Sequence, residues 1–100
     1  MLEKDLEKKF REMVKKAGGR ALKFTSPGNS GVPDRLVVLP GGRIGFVELK
    51  QTGKTPTKLQ ELQMARLKAL GCTVCVLDRE ENIDGVIADI SAHERRSDGI

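Results

Sequence analysis

Two apolar runs, Arg35 to Leu39 and Ile44 to Lys50, flank the tripeptide Pro40-Gly41-Gly42. No other feature restricts the fold of this chain so tightly. Strand-length apolar segments separated by a Gly- and Pro-rich turn form a β-hairpin. The first run is almost wholly apolar, as expected of a strand in a sheet covered on both faces. The second is apolar until it reaches Glu48. Side chains two apart on a strand share a face, so Glu48 and Lys50 extend the stripe begun by Ile44 and Phe46. Charges that continue an apolar stripe need a reason that charges on a wet face do not.

The turn sets which residues meet across the hairpin. A two-residue Gly41-Gly42 loop would pair Pro40 with Arg43 and put Asp34 opposite Leu49, facing away from Glu48. A three-residue loop pairs Leu39 with Arg43 and puts Asp34 opposite Glu48. Three-residue loops use a type I turn followed by a residue of positive φ. Pro40 suits the first position and Gly42 the last, and Pro40 lacks the N–H that a paired position donates. The expected arrangement is therefore the three-residue loop, with Asp34 and Glu48 adjacent. Two carboxylates that close repel unless a cation lies between them, and oxygen ligands of this kind suit Mg²⁺ or Mn²⁺. The bland alternative is a hairpin whose Glu48 and Lys50 are solvated and whose Asp34 only starts a turn.

With 100 residues, the chain is expected to form one domain, residues 1–92, with a small core and a polar tail, residues 93–100. The net charge of +4 favours phosphate backbones or an anionic surface as partner. There is no Trp or Tyr and there are only three Phe, which argues against base stacking as the main mode of nucleic-acid contact. No signal peptide or membrane span is read in the sequence, so a cytoplasmic protein is expected. Cys72 and Cys75 fit that setting as free thiols. Three apart on a strand, they face opposite ways, which opposes a disulfide or redox pair, and no second ligand pair exists for zinc.

Leu2, Leu6, Phe10, Met13, Val14 and Ala17 fall on one stripe of a helix over 2–17, closed by Gly18-Gly19. Glu3 and Glu7 lie beside that stripe, where they could equally pair with Lys4, Lys8 or Arg11 on the surface. A short strand, Arg20 to Phe24, carries Lys23, either a phosphate contact or a solvated edge residue. The segment from Thr25 to Gly31 is rich in turn formers and leads into Asp34, so it borders the acids. After Lys50, a polar loop with Lys54 and Lys58 precedes a helix that starts near Thr55 to Thr57. Thr57 with Gln60 three residues on fits a capping box. Leu59, Leu62, Leu67 and Leu70 are expected to be its buried contacts, and Gly71 its end. Cys72 to Leu77 reads as a strand. Asp78 is a candidate cap for a last helix whose buried stripe is Ile83, Val86, Ile87 and Ile90. His93, the only histidine, reads as a solvated tail residue. The order is α-β-β-β-α-β-α, with the fourth strand parallel to the third across the intervening helix.

The strings G-V-P-D-R-L, the G-G turn, F-V-E-L-K and the later Gln60 together resemble the virus-type replication-repair nuclease (VRR-NUC) domain of the PD-(D/E)xK nucleases. The likeness runs from about the first helix to the last. It implies an α/β fold with a restriction-endonuclease-like αβββαβ(α) core, a mixed central sheet flanked by helices. It also implies a catalytic set of Asp34, Glu48, Lys50 and Gln60. The ion, Mg²⁺ or Mn²⁺, would be held by Asp34, Glu48, the Leu49 backbone carbonyl and a helical acid, with Glu7 favoured and Glu3 the alternate. Gln60 would sit beside Lys50, contacting substrate or holding a water. Lys23, Arg35, Lys54 and Lys58 are the candidate DNA contacts.

The resulting expectation is a metal-dependent, structure-specific DNA endonuclease. By the same resemblance it would act on branched DNA such as Holliday junctions, as a homodimer, in a bacterial or phage-infected cell. Two alternatives stand beside it. A non-catalytic DNA-binding module on a nuclease fold is opposed by the intact Asp34, Glu48 and Lys50. A sequence-specific restriction-type nuclease is opposed by the lack of any recognition insertion. No His or Cys pair is placed for nucleophilic catalysis, and no G-x-x-x-x-G-K-[ST] phosphate cradle is present.

Overall fold

The computed structural model describes residues 1–93. Its elements are α1 (Glu3–Lys16), β1 (Arg20–Lys23), β2 (Arg35–Leu39), β3 (Arg43–Leu49), α2 (Lys58–Ala69), β4 (Thr73–Leu77), a 3₁₀ turn (Glu80–Asn82) and α3 (Ile83–Ser91). The strands form one sheet in the order β1-β2-β3-β4. Its first two pairings are antiparallel and the third is parallel. This is the expected mixed α/β architecture, with α2 as the connection that lets β4 run parallel to β3.

The hairpin register is the one the three-residue loop demands: Leu39 pairs with Arg43 and Arg35 with Val47. The turn itself differs from expectation. Both Gly41 (φ 84°) and Gly42 (φ 72°) have positive φ, whereas a type I turn would keep Gly41 right-handed. Two glycines make the double left-handed turn accessible without a Cβ penalty.

Odd-numbered residues of β2 and β3 point to one face, where the core lies. Val37, Leu39, Val47, Leu49 and Leu77 pack there against Leu6, Phe10 and Val14 of α1 and Ile83, Val86 and Ile90 of α3. Each such side chain, fully buried, contributes about 1.5–3 kcal/mol relative to an exposed one. Gly45 brings α3 close, because a Cβ there would lie 2.6 Å from Ile90 Cγ1.

The opposite face carries Leu36, Val38, Ile44, Phe46 and Glu48, and it is covered less completely than the apolar run of β2 suggested. Leu22, Ile44 and Val76 are exposed, while Phe24 and Phe46 pack edge to face with centroids 5.4 Å apart. The helix α2 lies against the β4 side of this face. Its buried residue is Met64, whereas Leu59, Leu62 and Leu70 are exposed and Leu67 is half-buried. The leucines misled because they sit at helical spacing on the outward stripe, whereas Gln60, Met64 and Leu67 form the inward one.

Other expectations also gave way. Asp78 does not cap α3, since neither the 3₁₀ turn nor α3 has a side-chain cap. Its Oδ2 instead accepts the Gly53 N–H at 3.3 Å, tying down the loop after β3. His93 is docked rather than solvated, with Nδ1 2.7 Å from the Thr73 hydroxyl and its carbonyl accepting from Arg43. The rest of the expected tail, residues 94–100, lies outside the described residues. Cys72 and Cys75 are free thiols, as expected, but half-buried rather than the core thiols the strand pattern suggested, and Cys72 lies just before β4. Burial, reinforced by Asp89, pushes the Cys75 thiol up.

Candidate active site

The site begins with Pro33. One step beyond the Arg35–Val47 pair, Asp34 falls opposite Glu48, and two steps beyond, Pro33 falls opposite Leu49. Pro33 has no N–H for the ladder, so regular pairing ends there. The Leu49 N–H, left without a carbonyl partner from β2, donates to Asp34 Oδ2 at 3.0 Å. Across the sheet, Phe24 N–H donates to the Asp34 carbonyl at 2.7 Å. The Pro-Asp order thus turns a strand end into a carboxylate held in the edge of the sheet. A residue's N–H and C=O point to the same side of a strand. The Leu49 carbonyl therefore faces this edge too, where Pro33 offers it no donor.

Glu48 is 2% exposed, the only buried charged residue among those described. Its Oε2 is held twice: Lys50 Nζ lies 3.3 Å away and Gln60 Nε2 donates at 2.9 Å. Its Oε1 is buried and has no hydrogen-bond partner. Burial is the main cause that raises the Glu48 pKa above 4.5, and the Asp34 charge adds to it. The Lys50 ammonium and the Asp34 backbone oppose the shift without cancelling it. A buried carboxylate oxygen with no donor is costly, on the order of 1–3 kcal/mol, and the neighbouring acid adds to that cost.

Gln60 forms the expected cap and also reaches Glu48. Thr57 N–H donates to its Oε1 at 2.9 Å and its own N–H donates to Thr57 Oγ1 at 3.2 Å, completing the capping box. Its Nε2 is thereby turned to Glu48. The amide and the Lys50 ammonium thus meet the same carboxylate oxygen.

Asp34 also borders a cleft of about 460 Å³ lined by Glu3, Glu7, Lys23, Phe24, Thr25, Arg35 and Leu49. Both helical acids expected from α1 line this cleft. Glu7 is engaged, because its Oε1 accepts from Arg35 Nη2 and lies 3.7 Å from Arg11 Nε. Glu3 is exposed. Arg35 is turned inward: its side chain is 11% exposed and holds both Glu7 and, at 3.4 Å, the Ala21 carbonyl. The Arg35–Glu7 pair spans 28 positions, so no local pattern announces it. Lys23, Lys54 and Lys58 are exposed, and of these Lys23 reaches the cleft. Thr25 opens the segment expected to border the acids and does line the cleft, whereas Phe24 is a cleft residue that the sequence reading left out; its position directly after Lys23 was the available signal.

The donor set fits a small, hard divalent cation. It offers two carboxylates, one with a buried unpartnered oxygen, beside a strand-edge carbonyl. Among the described residues, no three His, Cys, Asp or Glu gather closely enough to enclose an ion. No helix among the described residues is long and apolar enough to cross a membrane.

No family model matches the chain. The chain is 53% identical over 79 residues to the "Putative nuclease p44" of Acyrthosiphon pisum secondary endosymbiont phage 1, covering 79% of this chain and 85% of that protein. It also superposes on a solved structure described as a VRR_NUC domain with a TM-score of 0.81 and 32% identity, covering 88% of this chain and 96% of that one. These likenesses establish that the chain belongs to the VRR-NUC domain family.

Proposed function

We propose that the protein is a Mg²⁺- or Mn²⁺-dependent endodeoxyribonuclease that hydrolyses phosphodiester bonds in branched DNA. The observation that carries this reading is Glu48: a buried carboxylate with one oxygen unpartnered, the other held by Lys50 and Gln60, and Asp34 beside it. The phage relative's name and the matched VRR_NUC structure support a nuclease.

Asp34, Glu48 and the Leu49 carbonyl would hold the ion, which when bound supplies Lewis-acid stabilisation of charge on the phosphate and a more acidic water. Glu3 is the better candidate for an acid from α1, since Glu7 already neutralises the half-buried Arg35. Lys50, half-buried and next to Glu48, is placed to orient the attacking water or to stabilise charge as it develops on the phosphate. Lys23 and Arg35 line the cleft where a phosphate backbone would lie, with Lys54 and Lys58 on the loop and helix start beyond Lys50. Positively charged side chains of this kind read backbone and shape rather than base sequence. A homodimer would present two such sites to two strands of a junction.

The test is to incubate the protein with a four-way junction, a flap and a linear duplex, with Mg²⁺, Mn²⁺ or chelator. The expected result is metal-dependent cutting of branched DNA alone, lost in Lys50→Ala. Binding without cutting would overturn catalysis, and cutting of linear duplex at fixed sites would overturn structure specificity.

A further inference from the structure

We propose that Gln60 is a positioning residue for Glu48, through which the N-terminal turn of α2 orients the acidic site. This rests on the nuclease reading for its kinetic consequence, but its geometry stands apart from it. An amide side chain has a donor end and an acceptor end, and the capping box consumes the acceptor. With Oε1 accepting from the Thr57 N–H, the NH₂ group alone faces inward, and it meets Glu48 Oε2 at 2.9 Å. Lys50 occupies the same oxygen from another direction, at 3.3 Å. Two donors on Oε2 fix the carboxylate so that Oε1 is the oxygen left unpartnered.

The helix start is itself pinned on the side of Asp34. Gln63 Nε2 donates to the Ser30 carbonyl at 3.0 Å. Gly31, at φ 86°, passes so close beneath α2 that a Cβ would lie 2.9 Å from Leu59 Cγ, 3.2 Å from the Leu59 carbonyl carbon and 3.3 Å from the Gln60 nitrogen. The segment delivering Asp34 and the turn delivering Gln60 are therefore seated on each other. Gln60 does not line the cleft that Asp34 borders; its hydrogen bonds go to Thr57 and Glu48.

Thr57→Ala and Gln60→Met provide the test, since each removes one of the two reciprocal capping hydrogen bonds. A purely structural role predicts that both variants lose stability and activity alike. Positioning predicts similar drops in thermal midpoint, but a kcat lowered tenfold or more in Gln60→Met alone, with KM for DNA within about twofold of wild type and Thr57→Ala retaining wild-type kcat within about threefold. Gln60→Glu adds a variant that keeps the capping acceptor and removes the donor; it should fold and lose kcat as Gln60→Met does. In metal-free protein, one side-chain NH proton of Gln60 should be protected from exchange in ¹H–¹⁵N spectra, both in wild type and in Thr57→Ala. Equal kcat in Thr57→Ala and Gln60→Met, a raised KM as the main defect of Gln60→Met, or an unprotected Gln60 amide would each overturn the proposal. If the wild type cuts no DNA, the amide spectrum still decides the geometry, so the two readings fail separately.

Discussion

Glu48 concentrates the chemistry of this protein in one side chain. Its carboxyl titrates above 4.5 in the folded chain because burial and Asp34 disfavour the charged form. A group whose folded pKa exceeds its unfolded value binds more protons when folded. Stability therefore falls as pH rises from about 4.5 through the folded pKa. Glu48→Gln removes that penalty and keeps an acceptor for Gln60. Without metal, it should melt a few degrees above wild type at pH 7–8, with the gap closing toward pH 4 in thermal melts. Lys50→Ala should lower the cutting rate by about 10²–10⁴-fold if Lys50 handles a proton or charge in the reaction, measured under single-turnover conditions. Asp34, Glu48 and Lys50 were legible in the sequence because strand alternation and a three-residue turn determine which residues face each other. The Glu7–Arg35 pair was not, because it depends on how α1 settles across the sheet, which no residue near either partner encodes.

At the scale of elements, β3 organises the rest: it pairs antiparallel with β2, parallel with β4, and carries Glu48 on one face and the core residues Val47 and Leu49 on the other. Gly45 sits where α3 crosses, with Ile90 filling the space a side chain would take. Gly45→Ala should cost about 1–3 kcal/mol of stability by overpacking, read from denaturant midpoints, while leaving the site residues in place. Phe10→Ala, at a fully buried α1 position, should cost about 3–5 kcal/mol. The order of elements and the hairpin register could be read from turn residues and apolar runs. The inward face of α2 could not, since apolar residues surround that helix and only its contact with β4 selects Met64. The capping role of Asp78 failed for a related reason: its carboxylate found the Gly53 N–H, a tertiary partner that outcompeted the local cap.

For the molecule as a whole, the sheet separates a packed side, built by α1 and α3, from an open side where Leu22, Ile44 and Val76 remain exposed. The acids lie at the end of the sheet where Pro33 stops the ladder, within reach of α1 around one flank and α2 on the other. The net charge of +4 leads to a prediction about binding. If Lys23, Lys54 and Lys58 contact phosphates, DNA affinity should fall steeply with salt, with each phosphate contact adding about 0.9 to the log–log slope on duplex. A flat salt response would remove those residues from the interface. Their charge was visible in the sequence, but which of them border the cleft was not, since that requires knowing where β1 ends relative to Asp34.

The claim beneath all of this is that Asp34 and Glu48 jointly take a divalent cation. Mn²⁺ titration followed by the paramagnetic resonance signal of the free ion measures that directly, without DNA or turnover. Saturable uptake by the wild type, weakened at least tenfold in both Asp34→Asn and Glu48→Gln while both variants remain folded, is the predicted result. Absence of uptake at millimolar Mn²⁺, or uptake unchanged in either variant, would contradict it.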